Sequence, residues 1–276
     1  MKIITPIKQV PETSNVKMDE ETGTMKRDGV ESIINPLDLY AIETAIQLVE
    51  EYGGEVIAVT MGPPSAEKAL KEAIAMGCDD GILLSGREFA GADTWSTAYS
   101  LSECIKDIGD FDLIFCGLQA TDGDTAQVGP GIASFLDIPL ATYVSKVDEV
   151  HFADETTYTE PDENYITVER LLENGYEKIK MPMPALITVV KEISFPRLPT
   201  LSGKRKARDK DISPVNSEHI TMKKEYLGLN GSPTRVVNID RPKVTRGGKL
   251  IDASDETKYE SAIDELFKYM RDNDLI

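Results

Sequence analysis

Cysteine and histidine are both scarce in this sequence, with three of the first and two of the second in 276 residues. Cys78, Cys104 and Cys116 lie far apart, and none belongs to a Cys-x-x-Cys pair. A structural zinc site or an iron–sulfur cluster held by this chain alone is therefore not expected. His151 and His219 are too few for a histidine-based metal centre or triad. Positive charge is short as well: 30 Lys and Arg face 48 Asp and Glu, a net charge of −18. A phosphate backbone would be repelled, so nucleic acid is not an expected partner. No apolar run approaches the roughly 20 residues that cross a membrane. Lys2-Ile3-Ile4 is too short for a signal peptide, which makes a cytoplasmic protein the expectation. Neither G-x-G-x-x-G after the first strand nor G-x-x-x-x-G-K-[ST] occurs, and no Ser, Cys or Lys sits in a recognisable nucleophile setting. Redox chemistry would fall to a bound organic cofactor.

What is present is organised around Phe111 to Pro130. Leu113 to Cys116 is an apolar run suited to a strand buried on both faces. From Gly117 the chain turns to Gly, Asp, Thr and Gln, and from Gly129 it becomes helical in pattern. A strand opening through small residues into a helix leaves backbone N–H groups beyond the sheet edge, an arrangement that binds anions and especially phosphates. An ordinary Asp- and Gly-rich turn is the competing reading of that stretch.

The elements before it repeat one theme. Residues 2–7 form a first strand with Pro6 at its carboxyl end, since proline cannot donate within a central strand. A polar segment follows, with turns at Glu21-Thr22-Gly23 and Asp28-Gly29. Asn35 then caps, and Pro36, Leu37 and Asp38 open, a helix that stops at Gly53-Gly54. Glu55–Met61 is a second strand, Ser65 caps a helix ending at Gly77, and Gly81–Leu84 is a third strand. Asp93 or Thr94 caps a helix to about Ile108. Alternation of this kind predicts a Rossmann-like α/β fold with a parallel sheet flanked by helices, whose ligands lie beyond the carboxyl ends of the strands. Pro6, Asn35, Met61 and Gly117–Val128 all fall there and converge on one crevice.

After Pro139 the pattern becomes alternating, and residues 140–180 predict an antiparallel edge meander with turns near Ala153-Asp154 and Glu173-Asn174-Gly175. Ala185–Val190 is one more buried strand. The expected division is a nucleotide-binding domain over 1–190 and a C-terminal arm over 191–276. In the arm, Lys204-Arg205-Lys206-Ala207-Arg208 reads as a solvated linker, and a late helix starts with a capping-box spacing at Thr257. Ile263, Leu266, Phe267 and Met270 form its apolar stripe. Such a structureless stretch followed by an amphipathic helix points to packing on another subunit.

At this point the residues resemble the beta (small) subunits of electron transfer flavoproteins, over nearly the whole chain. The resemblance rests on Ile7-Lys8-Gln9-Val10-Pro11, Asn35-Pro36-Leu37-Asp38, Val56 to Pro63, Ala75-Met76-Gly77-Cys78-Asp79 and Gly117-x-Gln119-x-x-Asp122-x-Asp124. Val168-Glu169-Arg170, Glu173-Asn174-Gly175 and Pro184 to Thr188 extend it, with Asn174 standing where the family has Gly or an acid. Thr125-Ala126-Gln127-Val128-Gly129-Pro130, Met61 to Pro64 and Arg87 to Thr97 are similar to the bifurcating, two-FAD, NAD-linked subgroup.

The resemblance implies an adenine-nucleotide crevice lined by Pro6, Asn35, Pro36, Leu37, Asp38, Met61, and the run Gly117, Leu118, Gln119, Ala120, Thr121, Asp122, Gly123, Asp124, Thr125, Ala126, Gln127 and Val128. Asp93 and Thr94 would lie beside the flavin and NAD(H). FAD is the implied occupant in this chain, with AMP in its place in conventional members and a second FAD on the alpha subunit. NAD(H), ferredoxin and a flavin dehydrogenase, such as an acyl-CoA or 2-hydroxy-acid dehydrogenase, would exchange electrons with the complex. Partner docking is implied for about 191–200, with Ile193 as the protruding residue and Phe195 beside it. A universal-stress-type ATP- or AMP-binding module shares the fold, but the meander and the long arm argue against it.

Overall fold

Five segments of the chain carry apolar residues on both sides of an extended backbone, and these become the parallel centre of one sheet. In the computed structural model, residues 1–12, 17–18, 25–26, 32–153, 163–237 and 250–276 are described. The strands are β1 (Lys2–Pro6), β2 (Gln9–Pro11), β3 (Lys17–Met18), β4 (Met25–Lys26), β5 (Ser32–Ile34), β6 (Glu55–Met61), β7 (Asp80–Leu84), β8 (Leu113–Gly117), β9 (Leu140–His151), β10 (Tyr165–Leu172), β11 (Gly175–Pro182) and β12 (Ala185–Val189). The main sheet has the order β11-β10-β9-β12-β8-β1-β6-β7. Its pairs from β9 through β12, β8, β1 and β6 to β7 are parallel, while β9-β10 and β10-β11 are antiparallel. The expected α/β fold with an antiparallel edge is the fold observed. β2 pairs with β5 and β3 with β4, both antiparallel. The turns expected at 21–23 and 28–29, and Asp154 of the turn near 153–154, lie outside the described residues.

The helices are α1 (Asp38–Tyr52), α2 (Glu67–Met76), α3 (Thr94–Ile108), α4 (Val128–Leu136), α5 (Leu201–Asp209), α6 (Gly228–Gly231) and α7 (Tyr259–Asp272). Strand alternation divides the core between two faces. Ile3, Leu113, Phe115, Ala185 and Ile187 join the α1 and α2 layer, whereas Ile4, Ile114, Cys116 and Leu186 join the α3 and α4 layer. Phe115 is wholly buried at the centre, and truncating such a ring to Ala costs about 3–5 kcal/mol. In the meander, Val144, Val150, Ile166, Val168 and Met181 all feed the α1 side. That one-sided burial is why its sequence alternates.

The chain divides into two units, Met1–Val237 and Asn238–Ile276. Residues 191–237, expected to go with the arm, therefore belong with the α/β unit, and they are less irregular than the sequence predicts. α5 lies against α2, so close that a Cβ on Gly203 would overlap the Ala75 carbonyl. Thr200 caps α5 by accepting from the Gly203 N–H. The only buried side chain of α5 is Ala207, which leaves no apolar periodicity to read. Val215 bridges to Leu84 at the β7 edge. In the second unit, α7 carries Ile263, Leu266 and Phe267 exposed along one side. The Thr257 capping box is not formed: Asp255 accepts the Thr257 N–H to cap a short helical turn over Glu256–Lys258, and α7 itself begins at Tyr259 with no side-chain cap. No helix among the described residues is long and apolar enough to cross a membrane.

Candidate functional site

Strand order reverses between β1 and β8, because β6 and β7 continue to one side and β12 to the other. In an open parallel sheet, the carboxyl edge at such a reversal is where a crevice opens. Pro6 ends β1 and Gly117 ends β8, so the residues just beyond them line it. Met61 ends β6, on the far side of β1, and is partly buried against the α3 and α4 layer.

Asn35 does not cap α1 as its sequence position predicts. The helix begins at Asp38 with Leu37 as N-cap and no side-chain cap bond. Asn35 is instead fully buried and spent laterally. Its Nδ2 donates to Asp38 Oδ1 and to the Gln119 carbonyl, each at 2.8 Å, and its Oδ1 accepts the Thr121 N–H at 3.1 Å. One side chain thus ties the start of α1 to the loop after β8. Pro36 and Leu37 carry the chain over this junction, with Pro36 exposed. Ser65 likewise makes no cap bond at the short helical turn before α2.

Asp38 Oδ2 accepts the Lys8 N–H at 2.7 Å. Burial pushes the Asp38 carboxyl up to about 7, against the opposing pull of hydrogen bonds from Asn35 and the Lys8 backbone. Gly117 packs directly on it: a Cβ there would overlap Asp38 Oδ1 and lie 2.7 Å from the Leu37 carbonyl carbon. A residue with any side chain at 117 would push β8 and α1 apart.

From Leu118 to Val128 the loop lies partly or wholly open to solvent. The Gly123 and Asp124 N–H groups fold back onto the Ala120 carbonyl. Asp124 and Ala126 have φ of +50° and +54°, a left-handed conformation uncommon for residues other than glycine. Among the described residues the N–H groups of Thr125, Ala126 and Gln127 donate to no protein acceptor. They precede the N-terminus of α4, whose first-turn N–H groups are free by construction. Alternation of left-handed residues along a backbone that ends at a helix N-terminus aims donors at one point, and this suits a phosphate. Asp124 Oδ1 is turned back by Gln119 Nε2 at 2.9 Å, and Asp122 Oδ1 sits 2.6 Å from Lys8 Nζ. The donor set and open loop fit a phosphate group.

Thr94 Oγ1 donates to Gln127 Oε1 at 2.8 Å, which brings the start of α3 to this loop. Asp93 does cap α3, accepting from the Ser96 N–H, while its other oxygen takes the Thr234 N–H and Oγ1. Its carboxylate is committed to the fold. Burial alone would raise it, yet the bonds from Ser96 and Thr234 outweigh that and hold it below the usual range.

A second feature lies at residues 193–201. Ile193 is partly buried against the core, whereas Phe195 is 94% exposed, with Leu198 at 86% and Leu201 at 87%. Arg197 anchors the segment. Its Nε and backbone N–H reach Glu43 Oε2 at 2.8 and 3.0 Å, and its Nη1 and Nη2 reach Glu50 at 2.6 and 2.9 Å. Both acids lie on α1. Arg197 and Leu198 fall within the expected docking segment without being singled out there, Leu201 lies just beyond it, and Lys8 as a partner of Asp122 escapes the sequence reading. One signal was available for Arg197: Glu43 falls in the buried part of α1, and a buried acid calls for a cation.

The Electron transfer flavoprotein domain model matches residues 22–219. Over 267 residues, 96% of this chain and 98% of the relative, the sequence is 44% identical to the electron transfer flavoprotein subunit beta of Thermoanaerobacterium thermosaccharolyticum. It is 44% identical to the caffeyl-CoA reductase-Etf complex subunit CarD of Acetobacterium woodii, covering 91% of this chain and 92% of that one. The acryloyl-CoA reductase electron transfer subunit gamma of Anaerotignum propionicum is 39% identical across 97% of this chain and 98% of its own. Matched over most of its length by the domain and nearly end to end by these relatives, the chain belongs to the electron transfer flavoprotein family and is a beta subunit within it.

Proposed function

We infer that this beta subunit holds FAD in the crevice between β1 and β8 and works, with an alpha subunit carrying a second FAD, as a bifurcating electron transfer flavoprotein. In that reading electrons pass between NAD(H), ferredoxin and a partner flavin dehydrogenase acting on an acyl-CoA or a 2-hydroxy acid, in the cytoplasm. The supporting observation is the loop after β8, where the free N–H groups of Thr125, Ala126 and Gln127 stand before the α4 N-terminus. The names of the caffeyl-CoA and acryloyl-CoA reductase relatives support a thioester-reducing partner. A bound flavin supplies the step between two-electron and one-electron chemistry, and the protein supplies position and electrostatics.

In this reading each group of residues has its own role. Residues 123–128 bind the diphosphate, Asn35 and Asp38 hold that loop in register, and Thr94 with Gln127 joins the α3 end to it. The segment from Ile193 to Leu201 docks the dehydrogenase through Phe195 and its exposed neighbours. The C-terminal unit, with the apolar side of α7, packs on the alpha subunit. Releasing and quantifying the nucleotides of the purified alpha–beta complex tests this directly. A second FAD with no AMP is expected; one FAD with one AMP would make the crevice that of a conventional carrier.

A further inference from the structure

A diphosphate would bring negative charge to a place that already holds three acidic side chains. Asp38 is sealed beneath the loop with both oxygens accepting hydrogen bonds. Asp124 is drawn back by Gln119. Asp122 remains at the mouth, its side chain 12% exposed and in contact with the ammonium of Lys8 at 2.6 Å.

Lys8 is placed with unusual firmness for a lysine. It stands two residues beyond β1; its N–H donates to Asp38 Oδ2 at 2.7 Å and its carbonyl accepts the Asn35 N–H at 2.8 Å. The stem therefore leaves a fixed backbone and crosses to a residue 114 positions away in sequence. Its side chain is still 48% exposed, so the ammonium keeps donors free after satisfying Asp122. Among the described residues it is the one cation paired with an acid of this loop. A half-exposed pair of this kind adds little to folding, which leaves its place beside the crevice to be explained.

We propose that Lys8 is the charge-compensating positioning residue of the nucleotide crevice: by holding the Asp122 carboxylate it admits a diphosphate to the N–H groups of residues 125–127. This rests on the nucleotide reading of the crevice, and the test separates the two. The complex with the alpha subunit is stripped of nucleotide and titrated with FAD, followed by flavin fluorescence, with AMP titrated in parallel by calorimetry. Lys8→Gln should weaken FAD binding about tenfold, equivalent to about 1.4 kcal/mol, while Lys8→Arg stays within a few-fold of the wild type. Adding Asp122→Asn to Lys8→Gln should restore most of the loss, because the uncompensated carboxylate is gone. Asp122→Asn alone should bind at least as well as the wild type, and melting curves establish that each variant is folded. Wild-type affinity in Lys8→Gln would overturn the proposal, as would a loss that Asp122→Asn does not restore, since Lys8 would then act on the ligand itself. A wild-type complex that binds neither FAD nor AMP in this chain would refute the nucleotide reading before Lys8 is considered.

Discussion

Two buried acids on α1 fix two loops, and their carboxyl groups are shifted in opposite directions. Asp38, at the first turn, has no guanidinium or ammonium in contact among the described residues and is met by neutral donors, the Asn35 amide and the Lys8 backbone. Its carboxyl rises because burial dominates. Glu43, little more than a turn later, is also buried, and burial alone would raise it too. The hydrogen bonds from the Arg197 side chain and backbone and from Gln47, with the guanidinium charge, reverse the balance and hold it below the usual range. The same guanidinium lowers Glu50. The contrast shows how a helix can support two kinds of surface. A neutral polar clasp keeps the crevice loop close and its backbone donors free, whereas an ionic clasp fastens a segment whose apolar side chains face outward.

The ionic clasp is the easiest to break. Arg197→Ala leaves Glu43 buried without its cation and should destabilise the α/β unit by about 3 kcal/mol. The loss should show in denaturant melts and be smaller at acid pH, where Glu43 takes a proton. The depressed carboxyl contributes stability above its unfolded pKa, and that contribution fades as the pH falls through the folded value. An unchanged midpoint at neutral pH would mean that the clasp does not hold the segment.

Gly117→Ala attacks the neutral clasp by steric means. The added Cβ meets Asp38 Oδ1, the Leu37 carbonyl carbon and the Asp38 nitrogen. A cost of about 2 kcal/mol is expected, with flavin retention lost before the fold is. Retention equal to the wild type after gel filtration would show that the start of α1 does not position the loop.

The smallest effect on net stability, and the most specific, is that of Asp38→Asn. The native state binds the Asp38 proton more tightly than the unfolded chain. Its contribution is therefore fullest below the ordinary value of 3.8 and declines as the pH rises toward about 7. Asn cannot titrate, so the difference in stability between wild type and variant should shift across that window in favour of the variant as pH rises. A pH-independent difference would place the Asp38 titration outside it.

How far these features can be read in the sequence depends on what holds each one. The parallel strands are legible because burial on both faces forces continuous apolar runs, as in Leu113 to Cys116. Pro6 marks a strand end because it lacks a donor, and Asp93 marks a helix start because its side chain does cap. Asn35 misleads because capping chemistry and cross-loop chemistry use the same amide. Residues 191–237 are held by isolated anchors, polar ones such as Arg197 on Glu43 and Ser217 on Glu88 and buried apolar ones such as Ile212, Ile220 and Leu227, and anchors so scattered leave no period. Ile193, expected to protrude, is partly buried, and the outward position falls to Phe195, two residues on. The crevice residues are legible as a set because small and polar residues cluster at strand ends. Their division of labour appears only when Asn35, Lys8 and Asp38 are seen to bond one another.

The most direct test is to measure crevice-FAD content and electron delivery to the partner dehydrogenase side by side, in the complex with the alpha subunit. Two proteins suffice, Asn35→Ala and the double variant Phe195→Ser with Leu198→Ser. The exposed pair should leave stability within about 0.5 kcal/mol. Asn35→Ala should lose the crevice flavin, and the double variant should keep it while delivering few electrons. Loss of flavin in the double variant, or full flavin in Asn35→Ala, would contradict the separation of the two loops.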